Sequence, residues 1–305
     1  MTPPSPDVRK ALDSVISGTQ PRAPSADKIN VITKGDGGIC SVTGKQGTLW
    51  DPVIVAPILP VSAAWLKGDQ VLYLKYNSNP DTLRNEYNAL RVLKQKTTIP
   101  APRAFDVVPQ NTGEENFGYL LMSRVPGTAL VTCRDALSDQ DYANLSAQLK
   151  ECVSQMREIP KPVTHGIAIY NTLGEACRDP RIRDWAPIGP FPDEASFSQN
   201  LRFSDESSRR GHKIVFTHED LSPRNIIMER IKDSAGARGW RLSDIIDWET
   251  AGYYPEYWDY TKSMFEEFRW PRRHNEMMHD VFNEFGDYSE KLAVERRAWE
   301  PGDGI

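Results

Sequence analysis

Apolar runs interrupted by single polar residues predict most of the framework. Val71-Leu72-Tyr73-Leu74-Lys75-Tyr76 is a β-forming run with one lysine inside it, as expected of a strand covered on both faces. Lys75 shares a face with Val71 and Tyr73. Asn79 before Pro80 and Asp81 predicts a helix start, with the asparagine as N-cap and the proline in the first turn. Leu83, Tyr87, Leu90 and Leu93 then recur at helical steps and form its apolar stripe. Glu86 falls on the same stripe, where a carboxylate is anomalous unless a cation faces it, so Lys75 and Glu86 are expected to pair. The bland alternative is that Glu86 bonds to Arg84, Arg91 or water.

Residues 104–108 and 119–122 read as paired strands around the turn Asn111-Thr112-Gly113. Ser138, with Asp141 three residues later, opens a long helix through a near capping box. Its buried stripe is Tyr142, Leu145, Leu149, Cys152 and Met156, and Pro160 and Pro162 end it. Residues 213–216, 226–228 and 242–246 read as short strands, the last two as a hairpin. Tyr253-Tyr254-Pro255 reads as a turn. Tyr257, Tyr260, Thr261, Met264 and Phe268 read as one helical stripe, and residues 289–299 as a terminal helix of mixed charge.

Between those late strands lie the polar groups with chemistry in them. Residues 216–228 read Phe-Thr-His-Glu-Asp-Leu-Ser-Pro-Arg-Asn-Ile-Ile-Met, answered by Ile245-Ile246-Asp247-Trp248. One short loop presents Asp220 and Asn225, and the hairpin brings Asp247 toward them. Three oxygen donors of this kind suit Mg²⁺, which takes one or two carboxylates together with substrate phosphates. One carboxylate is left to receive a proton from an attacking hydroxyl.

Bulk composition narrows the partners. The chain has 305 residues, is 39% hydrophobic and 26% charged, and carries a net charge of −5 without a basic block. Nucleic acid is therefore not an expected partner. The longest nearly apolar run, residues 53–66, is broken by Pro57 and Pro60 and is too short for a bilayer, so no membrane partner is expected either. The four cysteines, Cys40, Cys133, Cys152 and Cys177, lack the spacing of a zinc site or a disulfide framework. A reducing, cytoplasmic setting is the expectation.

The His-x-Asp-x-x-x-x-Asn loop and the Ile-Ile-Asp-Trp-Glu-x-Ala-Gly strand resemble the aminoglycoside phosphotransferase and choline kinase family, in particular its fungal members. The resemblance spans roughly residues 70–270. It implies an α+β, bilobal protein-kinase-like fold: an N-terminal arm (1–27), a β-rich N-lobe (28–125) and a larger, mainly helical C-lobe (126–305). It implies ATP and Mg²⁺ as cofactors and a small-molecule acceptor, a cationic amine or a secondary metabolite, whose hydroxyl receives the γ-phosphate. By this resemblance the catalytic residues are Asp220, as the base or the residue that orients the hydroxyl, and His218. Asn225 and Asp247 are the metal ligands. Lys75, held by Glu86, positions the nucleotide phosphates, and residues 122–127, with Met122 and Arg124 among them, are the hinge whose backbone meets adenine.

Two features depart from the family pattern. Glu219 stands where a small residue is usual, and is expected to repel phosphate or to raise the Asp220 pKa. The glycines 35, 37, 38, 44 and 47 lie far ahead of Lys75 for a phosphate lid, and residues 61–70 are a second candidate with only Gly68. A protein kinase is disfavoured, since Pro255 arrives eight residues after Asp247 and leaves no room for an activation segment. The segment 164–203, with Trp185, Phe191, Asp193, Glu194 and Phe197, suggests an acidic, aromatic acceptor pocket suited to a cationic amine, or an ordinary surface insertion. The rival reading is a binding protein or pseudo-enzyme that keeps this fold without transferring phosphate.

Overall fold

Backbone hydrogen bonding sorts the strands into three small antiparallel sheets. The computed structural model describes residues 72–299 apart from 78, 112–115, 163–165, 180–181, 183–185, 205–206, 233–235 and 237. The expected N-terminal arm, the glycine-rich candidates for a lid, Cys40 and Trp185 therefore lie outside the described residues. In the first sheet β1 (Leu72–Asn77) and β2 (Ala104–Asn111) flank β3 (Asn116–Ser123). The register sets Lys75 opposite Leu120 and Tyr73 opposite Met122.

Between β1 and β2 runs α1 (Pro80–Lys96), capped by the Asn79 side chain on the Asp81 N–H. Leu83, Ala89, Leu90 and Leu93 are buried on its inner face, and so is Glu86. Tyr87 is only partly covered.

A short connection leads to β4 (Thr128–Ala129) and α2 (Leu130–Cys133). Gly127 has φ +115°, and a Cβ there would meet the Met228 carbonyl oxygen at 2.5 Å, so only glycine lets the connection lie against the next sheet. The long helix α3 (Asp139–Glu158) opens with the full capping box of Ser138 and Asp141. All five residues of its expected stripe are buried.

β4 pairs with β7 (Ile226–Lys232), and β7 pairs with β8 (Arg238–Ile245) in the expected hairpin. The expected turn at 253–255 is instead strand β9 (Gly252–Pro255), which lies between β5 (Tyr170–Asn171) and β6 (Ile214–Thr217). Tyr253 and Tyr254 are buried there among Phe216, Tyr170 and Trp258, and that burial outweighs the turn chemistry of the proline. Gly252 permits the pairing, since a Cβ would meet the Tyr170 carbonyl oxygen at 2.6 Å.

Helices complete the larger, C-terminal part: α4 (Glu194–Asn200), α5 (Trp258–Phe265), α6 (Arg272–Asn283) and α7 (Ser289–Trp299). This is the expected α+β, bilobal arrangement, one β-rich lobe and one mainly helical. The stripe after Tyr257 stops short of Phe268, which lies in a 3₁₀ turn and is 78% exposed. Among the described residues, no helix is long and apolar enough to cross a membrane.

One packing detail has a pH consequence. His274 on α6 is buried with neither ring nitrogen hydrogen-bonded, and burial pushes its pKa down to about 4. Its folded pKa lies below its unfolded value, so its contribution to stability is present above about pH 6.5 and is lost as pH falls toward 4. A His274→Leu variant is therefore expected to lose about 2–3 kcal/mol less than the parent between pH 7.5 and 4.5. Urea midpoints at the two pH values measure this, and equal losses would refute it.

Candidate functional site

The two lobes meet at a lysine. Lys75 Nζ on β1 lies 2.8 Å from Glu86 Oε2 on α1, 2.5 Å from Asp247 Oδ1 just beyond β8, and 2.9 Å from Glu249 Oε2. The pairing of Lys75 with Glu86 expected from the helix stripe is present, and it is part of a larger set. Burial works against the Lys75 charge, but Asp247, Glu249 and Glu86 together outweigh it and hold the ammonium well above its ordinary pKa. One cation cannot satisfy three carboxylates. Burial pushes Glu86 up to about 7, with Lys75 opposing it and Asp247 and Glu249 adding to it. Glu86 also accepts the Trp248 N–H at 3.3 Å, which ties helix α1 to the turn after β8.

Glu249 was not singled out from sequence. It stands two residues after Asp247, inside a turn that reads as a connection, and only the fold brings it back to Lys75. Asn77 adds a 3.4 Å contact to the same carboxylate.

The loop between β6 and β7 carries the second group of side chains. His218 is fully buried, and its ring spans two segments: Nδ1 accepts the Asp220 N–H at 3.1 Å and Nε2 donates to the Ile246 carbonyl at 2.9 Å. Burial lowers its pKa, which favours the neutral ring that this pattern requires. It bonds the backbone of the loop at Asp220 and the segment that leads from β8 to Asp247, so it positions both. Asn225 donates from Nδ2 to Asp220 Oδ2 at 2.9 Å and to the Asp220 carbonyl at 3.0 Å. Burial raises the Asp220 pKa, His218 and Arg224 lower it, and Asp247 raises it. The two aspartates are thus electrostatically coupled across the site.

Asp259 at the start of α5 fixes the loop from below, accepting the Glu219 N–H at 2.7 Å and the His218 N–H at 3.3 Å. Glu219 and Asp247 both have positive φ, +77° and +67°. Non-glycine residues held in that region are strained, and such strain gathers at functional sites.

Glu219 does not stand where the sequence suggested. Its side chain is fully buried beneath the loop, and its Oε1 lies 3.1 Å from Lys262 Nζ, which also holds Asp179 at 3.0 Å. The backbone at Glu219 is left-handed, and its carboxylate is turned inward toward Lys262.

Met122 ends β3 and is buried, so the connection to β4 offers a ligand its main chain rather than this side chain, while Arg124 is exposed. The residues expected to form an acidic, aromatic pocket are used elsewhere. Phe191 and Phe197 are core, with Phe197 edge-on to Trp258. Asp193 caps α4, and Glu194 is bound to His212.

The donor chemistry fits a hard divalent cation. Glu86, Asp247 and Glu249 offer oxygens within 4.8 Å of one another, and three carboxylates around one ammonium leave excess negative charge. Asp247 is the most exposed of these three, and Asn225 is tied through Nδ2 to Asp220.

The profile of the phosphotransferase enzyme family matches residues 65–294. No curated protein matches the chain. Among solved structures, the GDP complex of aminoglycoside 2′-phosphotransferase-IIIa aligns at 15% identity and TM-score 0.46, over 77% of this chain and 80% of that one. A thermostable mutant of aminoglycoside phosphotransferase APH(4)-Ia, in a ternary complex with AMP-PNP and hygromycin B, aligns at 15% identity and TM-score 0.48 over 76% of each chain. The GDP and kanamycin complex of APH(2″)-IIIa aligns at 16% identity and TM-score 0.47, over 77% of this chain and 80% of that one.

Proposed function

Because the chain belongs to the phosphotransferase enzyme family, we propose that it moves the γ-phosphate of ATP to a hydroxyl of a small molecule. The observation that carries this reading is the lysine shared between lobes: Lys75 held by Glu86 and in contact with Asp247, beside the Asp220–Asn225 pair. Lys75 donates to the nucleotide phosphates, which draws it away from Asp247. Asp247 and Asn225 are the residues that would hold Mg²⁺, with Glu249 alongside. When bound, the metal neutralises phosphate charge and makes the γ-phosphorus more electrophilic. The main chain of 122–124 meets the adenine.

Asp220 orients the acceptor hydroxyl and takes its proton as the new oxygen–phosphorus bond forms and the bond to ADP breaks. The proton then passes from Asp220 to solvent as products leave. The raised pKa of Asp220 makes it a better proton acceptor than an ordinary carboxylate. His218 and Asp259 hold the loop in register for this step. The rival reading without transfer loses the support of Glu219, which faces Lys262 rather than the phosphates.

The test has two arms. MgATP at a hundredfold excess over its Kd is expected to raise Tm by about 5–10 °C, and EDTA to remove much of that shift. ADP formation is then followed across alcohols, phenols, sugars and peptides. Acceptor-dependent ADP with a small molecule supports the proposal. No shift with nucleotide favours the rival, and robust transfer to a peptide serine refutes the small-molecule acceptor.

A further inference from the structure

The catalytic loop carries a cation that the transfer step does not use. Arg224 lies between Pro223 and Asn225, is 45% exposed at its side chain, and stacks over Trp270 at 5.4 Å from the ring centroid. Its nearest carboxylate is Glu266, at 3.9 Å, and Glu266 is held more closely by Arg269 at 2.9 Å. The next carboxylate, Glu267, pairs with Arg296 at 2.9 Å. Glu266 and Glu267 are thus each held more closely by another arginine than Glu266 is by Arg224. Arg224 also belongs to the charges felt by Asp220, so it is within electrostatic reach of the reacting hydroxyl.

The same rim is aromatic. Phe268, 78% exposed, is the most exposed large apolar side chain among the described residues, and Arg269 lies over its ring at 5.7 Å. Trp270 follows two residues later, beneath Arg224. A guanidinium already stacked on a ring is preorganised and weakly hydrated, and it binds a carboxylate or phosphate through paired N–H donors. The same charge repels an ammonium placed there.

We infer that the acceptor is a hydroxylated compound bearing an anionic group, with Arg224 holding the anion and Phe268 and Trp270 forming the apolar wall. This inference rests on the phosphotransfer reading of the Asp220 loop. It replaces the cationic amine expected from residues 164–203, of which Asp193 is spent on a helix cap, Glu194 on His212, and Phe191 and Phe197 on the core.

Matched probes separate charge from shape. 3-(4-Hydroxyphenyl)propionate and tyramine share ring and hydroxyl and differ in charge; 5-hydroxyvalerate and 5-aminopentanol repeat the contrast without a ring. Binding is measured by equilibrium dialysis with Mg²⁺ and a non-hydrolysable ATP analogue present. The carboxylates are expected to bind at least about tenfold more tightly than the matched amines. Arg224→Gln should remove the preference and Arg224→Glu should reverse it, with thermal unfolding confirming that both variants fold. Phe268→Ala should weaken the aryl carboxylate and spare the aliphatic one. Equal or tighter binding of the amines, a preference unmoved by Arg224→Glu, or no binding of any probe at millimolar concentration would each overturn the inference. Selective binding without ADP formation from ATP would instead count against the transfer reading alone.

Discussion

Replacing Asp220 with Asn is expected to lower kcat by about 10²–10⁴-fold while nucleotide affinity changes by less than about threefold. The loop supplies the reason. Asn225 Nδ2 donates to both the carboxylate and the main-chain carbonyl of Asp220, and the Asp220 N–H is fixed on His218. An amide at 220 keeps the two main-chain bonds and can still offer its oxygen to Asn225. What it then turns toward the acceptor is an NH₂ group, which cannot take a proton. Lys75, Glu86 and the 122–124 main chain are untouched. Single-turnover kinetics and a nucleotide titration of the same preparation separate the two effects. Normal turnover in this variant would mean that another group receives the proton. Parallel loss of turnover and nucleotide binding would mean that Asp220 serves the nucleotide.

Much of this site was legible because its parts obey local rules. A carboxylate on an apolar helix stripe announced that a cation must face Glu86, and a lysine inside a covered strand announced the same of its partner. The Ser138–Asp141 capping box and the β7–β8 hairpin were likewise carried by short-range pattern. The misreadings were tertiary. Tyr253-Tyr254-Pro255 has the chemistry of a turn, yet pairing with β6 and burial against Trp258 make it a strand. Phe191, Phe197 and Glu194 looked like a pocket because periodicity does not say which side of an insertion faces the core. Glu219 was expected at the phosphates, since sequence spacing does not reveal that a loop with positive φ turns one side chain beneath its neighbours. Glu249 and Arg224 had no pattern to mark them; each matters through a partner more than forty residues away in sequence.

The second large effect falls on Lys75. A Lys75→Met variant keeps the length of the stem and removes the charge that three carboxylates share. Glu86, with a side chain only 1% exposed, and the partly covered Glu249 and Asp247 then repel one another without a counter-ion. Breaking a buried pair on one side is expected to cost about 3–5 kcal/mol. The pH dependence identifies the cause. Without Lys75 the folded pKa values of Glu86 and Glu249 rise further above their unfolded values, so the penalty is smallest in acid and grows as pH rises through them. The variant should therefore recover much of its deficit at pH 5 relative to pH 8. Adding Glu86→Gln to Lys75→Met should restore stability at pH 8, because it removes one of the stranded charges. It should not restore nucleotide affinity, because the cation that meets the phosphates is still missing. Chemical unfolding at the two pH values, with nucleotide titrations of both variants, tests this. A deficit independent of pH would assign the loss to packing around the lysine stem. Recovery of nucleotide binding in the double variant would show that Lys75 acts only as a structural counter-ion.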